Sequence, residues 1–179
     1  MTVRSRPSGG DEADDSSAPL TPEALCRQYL DRVYRYAVLV SRGPLEAEDL
    51  AHDSLLRAIR HLHQYDPKRG AFDAWLWRIV ANQAKDLARA KARATTLWLR
   101  LVREPAALES VEKLVFDRLA LQDIVSAINQ LPASDRHLLA LRMGAGLSFA
   151  DVASIVGLTE AAAMVATHRA LAKLRKRLG

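Results

Sequence analysis

The chain has 179 residues, 49% of them hydrophobic and 26% charged; that suffices for one ordinary domain or two small ones and is too apolar for a disordered polymer. Lysine and arginine total 26 against 21 aspartates and glutamates, a basic balance that suits nucleic acid or another polyanion without requiring it. A single cysteine, Cys26, excludes an internal disulfide framework, and no run approaches the ~20 apolar residues of a membrane span, so a cytoplasmic protein with no membrane contact is expected.

Residues 1–22 are rich in Ser, Pro, Gly and acids and hold no apolar core of the signal-peptide kind; a disordered tail is expected. Thr21-Pro22-Glu23 has the composition of a helix start. Beyond it no segment alternates apolar and polar residues long enough for a strand, so the fold class is all-α. In a helix over about 45–62, Ala47, Leu50, Ala51, Leu55, Ala58, Ile59 and Leu62 form one apolar stripe, with Glu48, Asp49 and Asp53 off it. In the next, about 71–93, the stripe is Phe72, Trp75, Leu76, Ile79, Val80 and Leu87. Trp77 lies off that stripe, close to a loop carrying Lys68 and Arg69. Two readings of Trp77 follow: a flat face turned outward to stack on unpaired bases, worth roughly 1–3 kcal/mol per base, or packing beneath the preceding loop.

Residues 94–112 change character and read as a linker with an apolar segment at 97–102. Helices at about 113–130, 134–143, 148–156 and 159–178 complete two modules, 23–93 and 113–179. Within the second, Ser148 caps a short helix, Gly157 supplies a sharp turn, and Thr159 caps a longer helix ending in basic residues. This is the helix-turn-helix layout, whose second helix enters the DNA major groove; an αα-hairpin with a solvated basic end is the alternative. His52, His61, His63 and Cys26 match no zinc spacing, so no metal site and no cofactor is expected. Without a nucleophile–base arrangement or a phosphate loop, the chain is expected not to be an enzyme.

Ala47-Glu48-Asp49-Leu50 with Asp53-Ser54-Leu55-Leu56-Arg57-Ala58, then Phe72-x-Ala74-Trp75-Leu76-Trp77-Arg78-Ile79 with Asn82 and Asp86, resembles region 2 of the extracytoplasmic function sigma factors. Leu131-Pro132, Leu141-Arg142 and Gly146-Leu147-Ser148 through Gly157 resemble their region 4. The resemblance implies a promoter-specificity subunit of bacterial RNA polymerase, monomeric when free. Its partners would be the β′ and β subunits of the polymerase core, promoter DNA and an anti-sigma factor. It further implies that Glu48, Asp49 and Asp53 dock on the β′ coiled coil. Lys68, Arg69, Trp77, Asn82, Lys85, Asp86 and Arg89 would grip the −10 region. Thr159, His168, Arg169 and Lys173 would serve the −35 region.

One segment departs from the family pattern. Where relatives commonly carry Lys and Arg on the recognition helix, this chain has Ala161-Ala162-Ala163-Met164-Val165-Ala166. Such side chains offer no bidentate hydrogen bonds to G or A. Weaker −35 readout is expected, or an apolar face that binds protein. A helix-turn-helix regulator and a sigma-like interaction module are the rival readings.

Overall fold

Helix α1 (Pro22–Val40) starts where Thr21 Oγ1 accepts the Ala24 amide at 3.1 Å. The short connection through Ser41–Gly43 leads to α2 (Pro44–His61), which packs against α1. A 3₁₀ turn over Leu62–Gln64 and another over Pro67–Arg69 lead to α3 (Phe72–Leu101). The computed structural model describes residues 21–101, 124 and 126–179. The expected tail before residue 21, the linker beyond 101 and the helix start at 113 lie outside the described residues.

The long helix α3 continues eight residues past the change of composition at 93. No glycine or proline stands between residues 71 and 104 to stop it, and good helix formers dominate there. Helical residues 126–129 precede Leu131-Pro132. Helix α4 (Ala133–Leu139) runs directly into a π-helical turn, Ala140–Gly144, closed by an Ala145 amide to Ala140 carbonyl bond of 2.8 Å. Helix α5 (Phe149–Val156) is capped by Ser148 and ends at Gly157, whose φ of 74° is the left-handed conformation glycine adopts without strain. Helix α6 (Glu160–Leu178) is capped by Thr159. Both caps and the glycine turn fall where the sequence places them.

The two modules share one hydrophobic core, which the sequence reading of tethered units does not anticipate. Tyr36, Trp77 and Val80 of the first module cluster with Leu138, Leu141, Ala145 and Leu147 of the second. A smaller cluster, including Ile128, Leu139 and Leu174, is centred in the second module, and Leu39 of α1 packs against it. Polar contacts reinforce the seam. Arg32 Nε donates to the Ala145 carbonyl at 2.9 Å, and Arg78 donates to Ser154 Oγ at 3.2 Å. Tyr36 Oη lies 2.9 Å from His137 Nδ1.

Gly144 sets how closely the modules approach. A Cβ there would meet the Tyr36 Cα and backbone nitrogen at 3.0 Å and the Arg35 carbonyl at 3.1 Å, all main-chain atoms of α1. Gly144→Ala must therefore push the π turn off α1, at a cost of about 1–3 kcal/mol typical of overpacking. Small-angle scattering should show a larger radius of gyration for the variant, and an unchanged profile would contradict this seam.

Candidate nucleic-acid and polymerase interface

Helix α2 buries Ala47, Leu50, Ala51, Ser54, Leu55 and Ala58, which turns Glu48, Asp49 and Asp53 to the exposed side. Glu46, one turn earlier than Leu50, serves the structure instead: it pairs with Lys91 at 2.5 Å and accepts the Arg42 amide at 3.2 Å. Three carboxylates thus stand on one accessible helix with no ion pair among the described residues, a face suited to a basic protein partner.

Lys68 and Arg69 are presented by a tight turn. Asp66 Oδ1 accepts the Lys68 amide at 3.0 Å, and the Asp66 carbonyl accepts the Arg69 amide at 2.9 Å. Gly70, with φ of 138°, ends the turn, and both cations are exposed. Behind them stand three aromatic rings. Tyr65 meets Phe72 at 5.0 Å and Trp75 at 5.6 Å between centroids, and Phe72 meets Trp75 at 5.2 Å. All three keep part of their surface accessible. Asp73, beside them, accepts the Tyr29 hydroxyl and the Arg32 guanidinium. Burial, followed by the bond to Asp73, raises the Tyr29 phenol.

Trp77 requires a correction. Its ring is 0% exposed, edge-on to Tyr36 at 5.7 Å and beneath the Arg32 guanidinium at 5.4 Å. It neither faces outward nor lies under the preceding loop; Trp75 is the ring that packs with that loop. The physical reason is that α3 is covered on two sides, by the first module and by the second. Its buried arc therefore widens to take in Leu76, Trp77, Val80 and Ala81, beyond the single stripe of a helix covered on one side. Stacking on an extruded base is closed to a ring with no accessible face.

The remaining positions on α3 divide. Asn82 is exposed, and Asp86 pairs with Arg89 at 3.5 Å. Lys85 is half-buried and lines a cavity between the modules. In the second module, the Thr159 hydroxyl is engaged as cap to Ala162 at 3.2 Å. His168 is exposed, with its ring 6.1 Å from that of Phe149. Arg169 is exposed, whereas Lys173 is held by Asp135 at 2.7 Å. Ala161, Ala162, Met164 and Val165 form the outer face of the start of α6.

Two family models match the chain. Residues 25–94 match the model for sigma-70 region 2, and residues 121–174 match that for sigma-70 region 4. The ECF RNA polymerase sigma factor SigM of Mycobacterium tuberculosis is 33% identical over 164 residues, covering 88% of this chain and 76% of the relative. The chain belongs to the extracytoplasmic function sigma factor family. The ECF RNA polymerase sigma factor SigE of Mycolicibacterium smegmatis is 31% identical over 167 residues, 92% of this chain and 64% of the relative. Against several curated relatives, this sigma factor spans a little under two thirds of their length. Among solved structures, the sigma factor RpoE in complex with the anti-sigma factor NepR from Bartonella quintana superposes with a TM-score of 0.69, at 25% identity, covering 87% of this chain and 95% of that one.

Two features of this sigma factor escape sequence reasoning. The aromatic surface is built by Tyr65, Phe72 and Trp75, two of which lie on the apolar stripe. The available signal is that Tyr65 and Phe72 bracket the Pro67–Gly70 turn. The seam between modules gives no periodic signal at all, because its polar partners come from separate helices.

At that seam, burial and then the charge of Lys85 lower His137 from 6.5 to about 4. The folded state therefore prefers neutral His137. Its contribution is complete above about pH 6.5 and is lost as pH falls from 6.5 toward 4. At pH 5 the expected loss is about 2 kcal/mol. Urea unfolding at pH 7 and pH 5 measures it, and His137→Gln should flatten the difference.

Proposed function

We propose that this sigma factor gives bacterial RNA polymerase core its promoter specificity. The observation that carries this reading is the juxtaposition, in one module, of an exposed acidic helix face with a basic turn backed by accessible aromatic rings. The acidic face, Glu48, Asp49 and Asp53, docks on the β′ coiled coil. Lys68 and Arg69 hold displaced phosphates of the −10 region, while Tyr65, Phe72 and Trp75 receive unstacked bases. Asn82, Asp86 and Arg89 extend this surface along α3. The helix-turn-helix of α5 and α6 meets the −35 region, with Arg169 free to hold phosphate. Bond making belongs to the polymerase; the sigma factor supplies position and strand capture.

Elements at −10 and −35 lie about 85 Å apart along B-form DNA at 10–10.5 base pairs per turn. Modules that share a core, with Arg78 on Ser154, cannot meet both, so the seam opens when the polymerase and promoter are engaged. An anti-sigma factor that favours the packed arrangement would hold the protein inactive by population shift. The anti-sigma complexes of the RpoE and CnrH sigma factors support a partner of this kind.

The start of α6 favours a refinement. Apolar side chains there contact thymine methyls but form no bidentate pairs, so the −35 region is held mainly through its backbone. Scrambling the −35 sequence should lower transcription with core polymerase by less than about tenfold, since the start of α6 forms none of the bidentate base pairs that are worth about 1–3 kcal/mol each. A hundredfold loss would show strong sequence readout. Polymerase binding without any promoter-directed transcription would favour the sigma-like interaction module instead.

A further inference from the structure

A cavity of about 420 Å³ lies at the seam, walled by the end of α1, the middle of α3, the start of α4 and the end of α5. Its size is within the range of small-molecule sites, and its walls are mostly apolar, with Val40, Ala84, Ala88 and Leu158 among them. The charged lining has one sign: Lys85 and Arg136 contribute, His137 and Ser134 are neutral, and none of the described lining residues is acidic. The nearest carboxylate acting on Arg136, that of Glu46, is already engaged by Lys91 and the Arg42 amide. Arg136 is 8% exposed and donates to Asn129 Oδ1 at 3.2 Å; among the described residues its Nε and His137 Nε2 are buried with no hydrogen-bond partner. Burial and the charge of Arg42 act against the Arg136 cation, and Lys85 acts against protonation of His137. An anion in this cavity offsets the charges of Lys85 and Arg136, and an apolar body fills the remainder.

We propose that the cavity between the modules binds a small amphipathic anion, an apolar chain bearing one carboxylate, with Lys85 and Arg136 on the head group. Because residues of both modules build the walls, such a ligand binds the packed arrangement alone and stabilises it. It therefore opposes opening. The effect on transcription rests on the function proposed above; the binding itself does not.

The test is isothermal titration calorimetry on the full chain with three probes of equal chain length: octanoate, 1-octanol and octylammonium. Octanoate should bind at one equivalent, octanol at least about tenfold more weakly, and octylammonium not at all. Ala88→Phe should fill the cavity and abolish octanoate binding. Lys85→Met, which keeps the length of the side chain, should weaken octanoate about tenfold and leave octanol unchanged. Gly144→Ala should weaken both by loosening the seam. No octanoate binding, equal binding of the three probes, or octanoate binding unaffected by both Ala88→Phe and Lys85→Met would overturn the proposal. Octanoate that binds the chain yet leaves reconstituted transcription unchanged would overturn the opposition to opening while leaving the site standing.

Discussion

Replacing Trp77 with alanine should destabilise the protein by about 3–5 kcal/mol and loosen both modules at once. Among the described residues the ring is the largest fully buried side chain, it sits in the core shared by the modules, and it packs against Tyr36 and beneath Arg32. Truncation removes that packing and leaves a cavity that α1, α3 and the π turn cannot all close. Trp75→Ala should behave differently. Its ring is partly exposed beside Tyr65 and Phe72, so folding survives at a smaller cost and the loss falls on strand capture. Thermal unfolding followed by circular dichroism, paired with permanganate footprinting of the −10 region in the presence of core polymerase, separates the two. A Trp77→Ala variant with an unchanged melting temperature that failed only in strand opening would reinstate an outward role for the indole.

The second large effect concerns the acidic face of α2. Converting both Asp49 and Asp53 to lysine should leave stability within about 0.5 kcal/mol per site, because both are exposed and form no ion pair among the described residues. The same change should lower affinity for core polymerase by about a hundredfold or more, since like charges set against a basic partner cost several kcal/mol. Fluorescence anisotropy with labelled protein and core polymerase reads the affinity directly. Glu46→Lys makes a useful contrast: it breaks the bond to Lys91 and the cap on Arg42, and should lower stability before it touches docking.

Local rules account for much of what the sequence reveals. The Thr21, Ser148 and Thr159 caps, the Gly157 turn and the stripe on α2 are fixed by side chains within a few residues of one another, and each stands where the sequence places it. The positions whose role depends on distant partners are less legible. Trp77 is off the stripe only while α3 is thought to have a single covered side. Lys173 reads as a phosphate contact until Asp135, thirty-eight residues earlier, is seen to hold it. The π turn at Ala140–Gly144 has no local signature, and the reason for Gly144 appears only when α1 lies against it. The aromatic surface is half-visible: Phe72 and Trp75 read as core, and they are core on one side only.

The claim on which the rest depends is that this chain directs core polymerase to promoters. Run-off transcription on genomic fragments, with core polymerase in the presence and absence of the purified chain, tests it most directly. Discrete new transcripts starting at fixed positions, lost when Asp49 and Asp53 are both reversed in charge, are predicted. The same background of transcripts with and without the chain, given a chain shown to be folded, would contradict it.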